Sequence, residues 1–160
     1  MMVKIEVVPA TSDHIEALIP MVRQADLDEF AAINGWDARR VLETGLRTST
    51  FTVAGLADGR VVTVFGVAPA SMLGGAGIPW LVATDELETH QLAFLRRCRN
   101  GVNAMLDVYP YLENYVDERN HVAKAWLHWL GFTIDEAAPI GIAGLNFHRF
   151  HQERKSCADQ

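Results

Sequence analysis

Cysteine is scarce in this chain: Cys98 and Cys157 are the two in 160 residues. Neither belongs to a Cys-x-x-Cys pair, which excludes the usual zinc and thioredoxin-type patterns, and two cysteines make no disulfide framework. Cys157 lies in a polar end where a stable bridge is unexpected. Long apolar runs are missing as well. The longest apolar stretch, residues 61–70, is far shorter than the roughly 20 residues that span a bilayer. The first residues, Met1-Met2-Val3-Lys4-Ile5-Glu6, alternate apolar with charged and lack a signal peptide's apolar block. Basic charge is in deficit, 14 Lys and Arg against 20 Asp and Glu, for a net −6. The deficit is even: the parts before and after the Trp80–Leu81 bond each carry −3. No basic arm exists to neutralise a phosphate backbone or an acidic membrane, so nucleic acid and membrane surfaces are excluded as general partners. These absences lead to the expectation of a soluble protein of a reducing, cytoplasmic compartment.

What is present is a core. Apolar residues make up 49% and charged residues 21%, and a chain of this length buries roughly 70% of its unfolded surface. The pattern predicts one domain over residues 1–152 and a loose polar tail over 153–160, with no internal repeat. Val3, Ile5 and Val7 alternate as a strand that Pro9 ends. Thr11-Ser12-Asp13 offers cap oxygens for a helix carrying Ile15, Leu18, Ile19, Val22, Phe30 and Ile33 on one face, and Asn34-Gly35 closes it. Asp37 caps a second helix. Strands follow at 51–56 and 61–67, joined at Asp58-Gly59, a strong hairpin dipeptide. Another strand surrounds 80–83. A long helix over 88–108 presents Leu92, Leu95, Val102 and Leu106 inward. Then come a strand at 111–116, a helix at 120–130 stopped by Gly131, and strands at 132–134 and 146–150. The order predicts an α/β domain: a mixed sheet of six or seven strands with helices on both faces.

Several residues invite a functional reading. Asp26 and Glu29 continue the apolar side of the first helix. They are either acids at the edge of a buried stripe, solvated or ion-paired, or a polar pocket that binds an amine or supplies a general base. Gly74-Gly75-Ala76-Gly77 precedes a strand, so it reads as a hairpin connection and not a phosphate loop. Asn120 suits a helix N-cap. His148 and His151, three apart on a strand, point to opposite faces and make no metal pair. Arg96, Arg97 and Arg99 read as a solvated helix surface, Trp126 and Trp129 as core packing with one a potential interface anchor.

Val116, Asn120, Ala123 and Gly131-Phe132, at their spacing, resemble the fifth-strand and following-helix signature of the GCN5-related N-acetyltransferases. The element order extends the resemblance over nearly the whole chain. In that family the cleft beside this strand holds the pantetheine arm of acetyl-CoA. The resemblance therefore implies a cleft at Trp80, Asp85, Asn114 and Asp117. If acyl-CoA binds, the implied contacts are Val82, Ala83, Thr84 and Asn120, with Asp26, Glu29 or Tyr115 as acid–base groups.

Two departures stand out. The family's glycine-rich diphosphate loop falls on Thr84-Asp85-Glu86-Leu87-Glu88-Thr89-His90, which has no glycine and three carboxylates. The tyrosine that reprotonates the leaving thiolate falls on Leu127, which has no proton to give. A narrower resemblance is carried by Trp80-Leu81-Val82-Ala83-Thr84-Asp85, Phe94-Leu95-Arg96-Arg97, Tyr109-Pro110-Tyr111-Leu112-Glu113-Asn114-Tyr115-Val116-Asp117, Trp126 to Phe132 and Asn146-Phe147-His148-Arg149-Phe150. These segments are similar to small phage and prophage proteins related to an internal virion protein. This implies a host-cytoplasmic or virion-associated protein with phage structural or assembly proteins as partners, or a homo-oligomer. Together these lead to the expectation of a catalytically silent assembly or accessory protein with no cofactor. The alternative is a divergent acetyl-CoA-dependent N-acetyltransferase.

Overall fold

The computed structural model describes residues 2–156; Cys157 and the three residues after it lie outside them. Seven strands form one mixed sheet: β1 (Ile5–Pro9), β2 (Phe51–Ala57), β3 (Arg60–Pro69), β4 (Ala76–Ala83), β5 (Tyr111–Asp117), β6 (Thr133–Ile140) and β7 (Leu145–Glu153). Their order is β1-β2-β3-β4-β5-β7-β6, and the β4–β5 pair alone is parallel. The hairpins form where the sequence predicts them. Asp58 and Gly59 turn β2 into β3 with φ of 48° and 81°. Gly74 and Gly75 take positive φ in the β3–β4 connection, closed by Ala70 N–H donating to Ala76 O at 3.0 Å.

Helices cover both faces, as the sequence pattern implies. On one face α1 (Ser12–Leu18) and α3 (Ala38–Thr48) place Ile15, Leu18 and Leu42 on Ala54, Val64 and Val82 of the sheet. On the other, α5 (Gln91–Val108) places Cys98, Val102 and Met105 against Phe65, Val67 and Leu112. Beside it α6 (His121–Trp129) buries Trp126 against Phe94 and Leu95. Among the described residues no helix is long and apolar enough to cross a membrane.

Several element boundaries depart from the sequence expectation; β4, for one, begins at Ala76 and takes in Gly77. The first helix is two helices. Pro20 has no N–H to continue the ladder, so α1 stops at Leu18, residues 19–21 make one 3-10 turn, and α2 (Gln24–Ile33) starts afresh. Between them Val22 forms an isolated antiparallel bridge with Thr84. The helix expected over 88–108 is likewise divided, by His90, into α4 (Glu86–Thr89) and α5, and Leu92 faces solvent instead of the core. β6 runs to Ile140, beyond the expected 132–134, with its register shifting between Ile134 and Ala137. The polar end is anchored at its start: Glu153 belongs to β7, and Arg154 donates to the carbonyls of Leu106, Asp107 and Pro110.

Candidate functional site

β4 and β5 pair at two positions, Ala76↔Tyr111 and Gly77↔Leu112, and then separate. Gly77 permits the last rung, since a Cβ there would lie 2.6 Å from Tyr109 Cδ2. Pro79 begins the separation. Along β4 the even residues direct their backbone groups to β3, as Thr84 N–H does to Val62 O, so the odd residues face β5. Pro79 has no N–H for that edge, and its carbonyl instead accepts from Asn114 Nδ2 at 2.8 Å across the gap. At the far end of the gap Ala83 is capped by the α1–α2 corner. Its carbonyl accepts from Arg23 N–H at 2.9 Å and its N–H donates to Asp26 Oδ2 at 3.0 Å. Leu81, between them, has its N–H and C=O on the same open edge.

A cavity of about 520 Å³ passes through this gap. On the α5–α6 side its wall includes Leu95, Cys98, Ala123 and Leu127. On the α2–α3 side it includes Phe30, Trp36, Val41, Trp80 and Tyr115. The Trp80 indole lies against α3 because residue 45 is glycine; a Cβ there would stand 2.7 Å from its Cζ2. Its Nε1–H donates to Ser49 Oγ at 2.8 Å.

Asp26 and Glu29, three residues apart on α2, both border the cavity. Asp26 is buried and paired with the buried Arg23, Nη2 to Oδ1 at 2.9 Å. Burial pushes the Asp26 carboxyl up, against the pull of the Arg23 guanidinium and the Ala83 N–H. Burial also works against the Arg23 charge, but its hydrogen bonds to Asp26 and Glu88 outweigh that and hold it above its ordinary value. Glu29 makes no ion pair among the described residues. Its Oε1 accepts from Asp117 N–H at 3.0 Å and Asn120 Nδ2 at 2.9 Å. Burial is the main cause that lifts its carboxyl to about 7; those two donors oppose the rise, and the charges of Asp26 and Asp117 add to it.

The cavity thus gathers Asp26, Glu29, Trp80, Val82, Asn114, Tyr115 and Asn120 from the sequence candidates. Asn120 is the N-cap of α6, accepting from Ala123 N–H at 3.2 Å, while its amide orients Glu29. Val82 borders the cavity, but its backbone, like that of Thr84, turns to β3, where Val82 O accepts from Thr63 Oγ1 and Thr84 N–H donates to Val62 O. Ala83 is already bonded by Arg23 and Asp26, so the open edge belongs to Leu81. Asp85 is exposed and outside the cavity lining. The Asp117 carboxylate is held by Arg119, whose guanidinium lowers its pKa, so only its backbone N–H serves the site.

Other features resolve as packing. Arg99 stacks over Trp129 at 3.8 Å, and burial pushes the Cys98 thiol up to about 12. His148 and His151 meet one residue, Asp135, through its carbonyl and its carboxylate. Sequence reasoning missed Arg23, Trp36 and Leu81. The one available signal was Pro20, which breaks the helix just before Arg23 and turns an Arg-x-x-Asp pair toward the sheet.

No protein-family model matches the chain, and no curated protein sequence matches it. Solved structures do. A GCN5-related N-acetyltransferase from Kribbella flavida superposes with a TM-score of 0.69 at 15% identity, covering 94% of this chain and 98% of that one. A Salmonella typhimurium protein solved with its cofactor acetyl-CoA gives 0.66 at 12% identity, covering 98% of each chain. A Bacillus subtilis acetyltransferase in complex with CoA gives 0.64 at 11%, covering 96% and 100%. These relatives overturn the expectation of a catalytically silent phage assembly protein: the fold neighbours are acetyltransferases, and two hold acetyl-CoA or CoA. Nothing in the comparisons points to a phage particle. At these identities the likeness carries the architecture, and the chain has the GCN5-related N-acetyltransferase fold.

Proposed function

We propose that the protein is an acetyl-CoA-dependent N-acetyltransferase whose acceptor is a primary amine on an apolar body. The observation that carries this reading is the cavity through the β4–β5 gap with Glu29 in its wall.

The residues present suit acyl-CoA with one departure. The open edge at Leu81 offers an N–H and a C=O to a pantetheine amide, and the α5–α6 wall is apolar. The departure is the acidic segment 84–90. Its charge is partly answered within the fold, because Arg60 pairs with Glu86. Repulsion between a carboxylate and a diphosphate, on the order of 4 kcal/mol per contact at ~4 Å and an effective dielectric near 20, is reduced where the carboxylate is paired.

When bound, acetyl-CoA supplies an acyl group on a thiolate leaving group. The chain's own residues do the rest. Glu29, lifted to about 7, is poised to take a proton from the acceptor ammonium near neutral pH. Asp117 N–H and Asn120 Nδ2 both hold Oε1, which fixes the carboxylate in place. Phe30, Trp36 and Trp80 exclude water and favour an acceptor with an apolar body. Leu127 lines the cavity and offers no proton; the phenol lining it is Tyr115, whose Oη serves as the donor group.

The test is thiol release from acetyl-CoA over primary amines graded from ethylamine to phenylethylamine and indolylethylamine, with the acetylated amine identified by mass spectrometry. Turnover rising with apolar size is expected. Absence of both thiol release and acetyl-CoA binding would sink the proposal.

A further inference from the structure

Arg23 has an environment that the acyl-transfer chemistry leaves unexplained. It is 3% exposed, at the end of β4 where α4 begins, and its Cζ stands 4.8 Å over the Trp126 ring. Nη2 is held from behind by the buried Asp26 at 2.9 Å. Nη1 reaches outward to Glu88 Oε1 at 3.1 Å, and the Glu88 side chain is 46% exposed. Nε is buried and meets no acceptor among the described residues. An arginine carries five N–H donors in a fixed fork, so this one is anchored on one side, displaceably paired on the other, and has a donor to spare.

Part of the neighbouring backbone is already committed. Leu87 N–H donates to Thr84 O, Glu88 N–H to Asp85 O, and His90 N–H to Glu86 O and Leu87 O. The segment also contains no glycine whose backbone could approach a ligand closely. Arg60 is tied to Glu86. An anionic group arriving at the outer end of the cleft, one residue beyond the Ala83 cap, meets Arg23 as a buried cation.

We propose that Arg23 is the phosphate-binding residue of the donor site, and that a phosphate group of the acyl-CoA displaces Glu88 from its guanidinium. The inference rests on the acetyltransferase reading. Phosphate and carboxylate compete for the same fork geometry, and guanidinium binds both bidentately. Glu88, half in water already, rehydrates on release, whereas Asp26 stays and keeps the side chain aimed. Glu88 is then a built-in competitor that occupies Arg23 when the donor is absent.

The experiment is calorimetric titration with CoA and with pantetheine, which lacks the phosphates, on the wild type, Glu88→Gln, Glu86→Gln and Arg23→Met. Removing the competitor in Glu88→Gln is expected to raise the ratio of CoA to pantetheine affinity about tenfold, with pantetheine affinity unchanged. Arg23→Met, where it folds, is expected to lower that ratio by at least about tenfold. An unchanged or lower ratio in Glu88→Gln overturns the assignment. So does an equal gain in Glu86→Gln, which would make the effect general charge, or a wild-type ratio in folded Arg23→Met. A wild type that binds neither compound sinks the acetyltransferase reading and this inference with it. Binding of both, with wild-type ratios in every variant, removes Arg23 alone.

Discussion

Asp26 and Glu29 are carboxylates one helical turn apart on α2, and they close opposite edges of the same gap in different ways. Asp26 caps the β4 edge through Ala83 N–H and is neutralised by Arg23. Glu29 caps the β5 side through Asp117 N–H and is met by a neutral amide, Asn120. The first arrangement holds a charge in the fold. The second leaves a half-buried carboxylate without an ion pair among the described residues, and desolvation raises its pKa to about 7. A buried and a half-buried acid one helical turn apart thus acquire a structural and a chemical role, and the partner of each sets which.

That contrast is exposed to three variants. The largest stability effect is expected at Asp26. Asp26→Ala leaves the Arg23 charge buried with its outward partner alone, and should cost about 3–5 kcal/mol in denaturant unfolding. A loss under about 1 kcal/mol would mean that the pair is not holding the corner. Glu29→Gln should do the reverse. A glutamine Oε1 still accepts from Asp117 N–H and Asn120, so the fold is retained while amine turnover falls on the order of a hundredfold or more.

Glu29 also makes stability depend on pH with a definite sign. Between its unfolded value near 4.5 and its folded value of about 7 the native state holds a proton that the unfolded chain has released. Stability therefore falls as pH rises across that window, by roughly 3 kcal/mol at most, and Glu29→Gln removes the fall. In the wild type the turnover limb with a midpoint near 7 should vanish in the same variant. Equal pH profiles of turnover would remove Glu29 as the base. The smallest change is expected from Asn120→Ala. Loss of the α6 cap costs about 1 kcal/mol, and loss of its donation to Glu29 moves the kinetic midpoint above 7. A midpoint unmoved or lowered would show that Asn120 does not tune the base.

Much of the architecture was legible along the chain. Asp58-Gly59 marks its hairpin, Asn120 its cap and Gly131 the end of α6, because each is a local rule about φ angles or orphan N–H groups. The site was legible in part. Asp26 and Glu29 stand out as acids on an apolar stripe, but reading one continuous helix through Pro20 hid what brings them to the gap. The 3-10 turn at residues 19–21 redirects the chain so that Val22 and Arg23 lie along the end of β4. Only then do Arg23 and Asp26 take the Ala83 edge that the family resemblance assigned to a cofactor.

The acidic segment shows the same limit from the other side. Along the chain Asp85, Glu86 and Glu88 are three like charges where a diphosphate belongs. In the fold Glu86 meets Arg60, 26 residues away, and Glu88 meets Arg23, 65 residues away. The sequence by itself determined the layer architecture, the turn positions and the absence of a glycine cradle, because these follow from periodicity, backbone freedom and composition. Tertiary structure decided which carboxylates are paired, which is left near neutral pH, and where β4 remains open. Those properties are set by distances of a few ångströms between residues far apart in the chain, and by the loss of water around them.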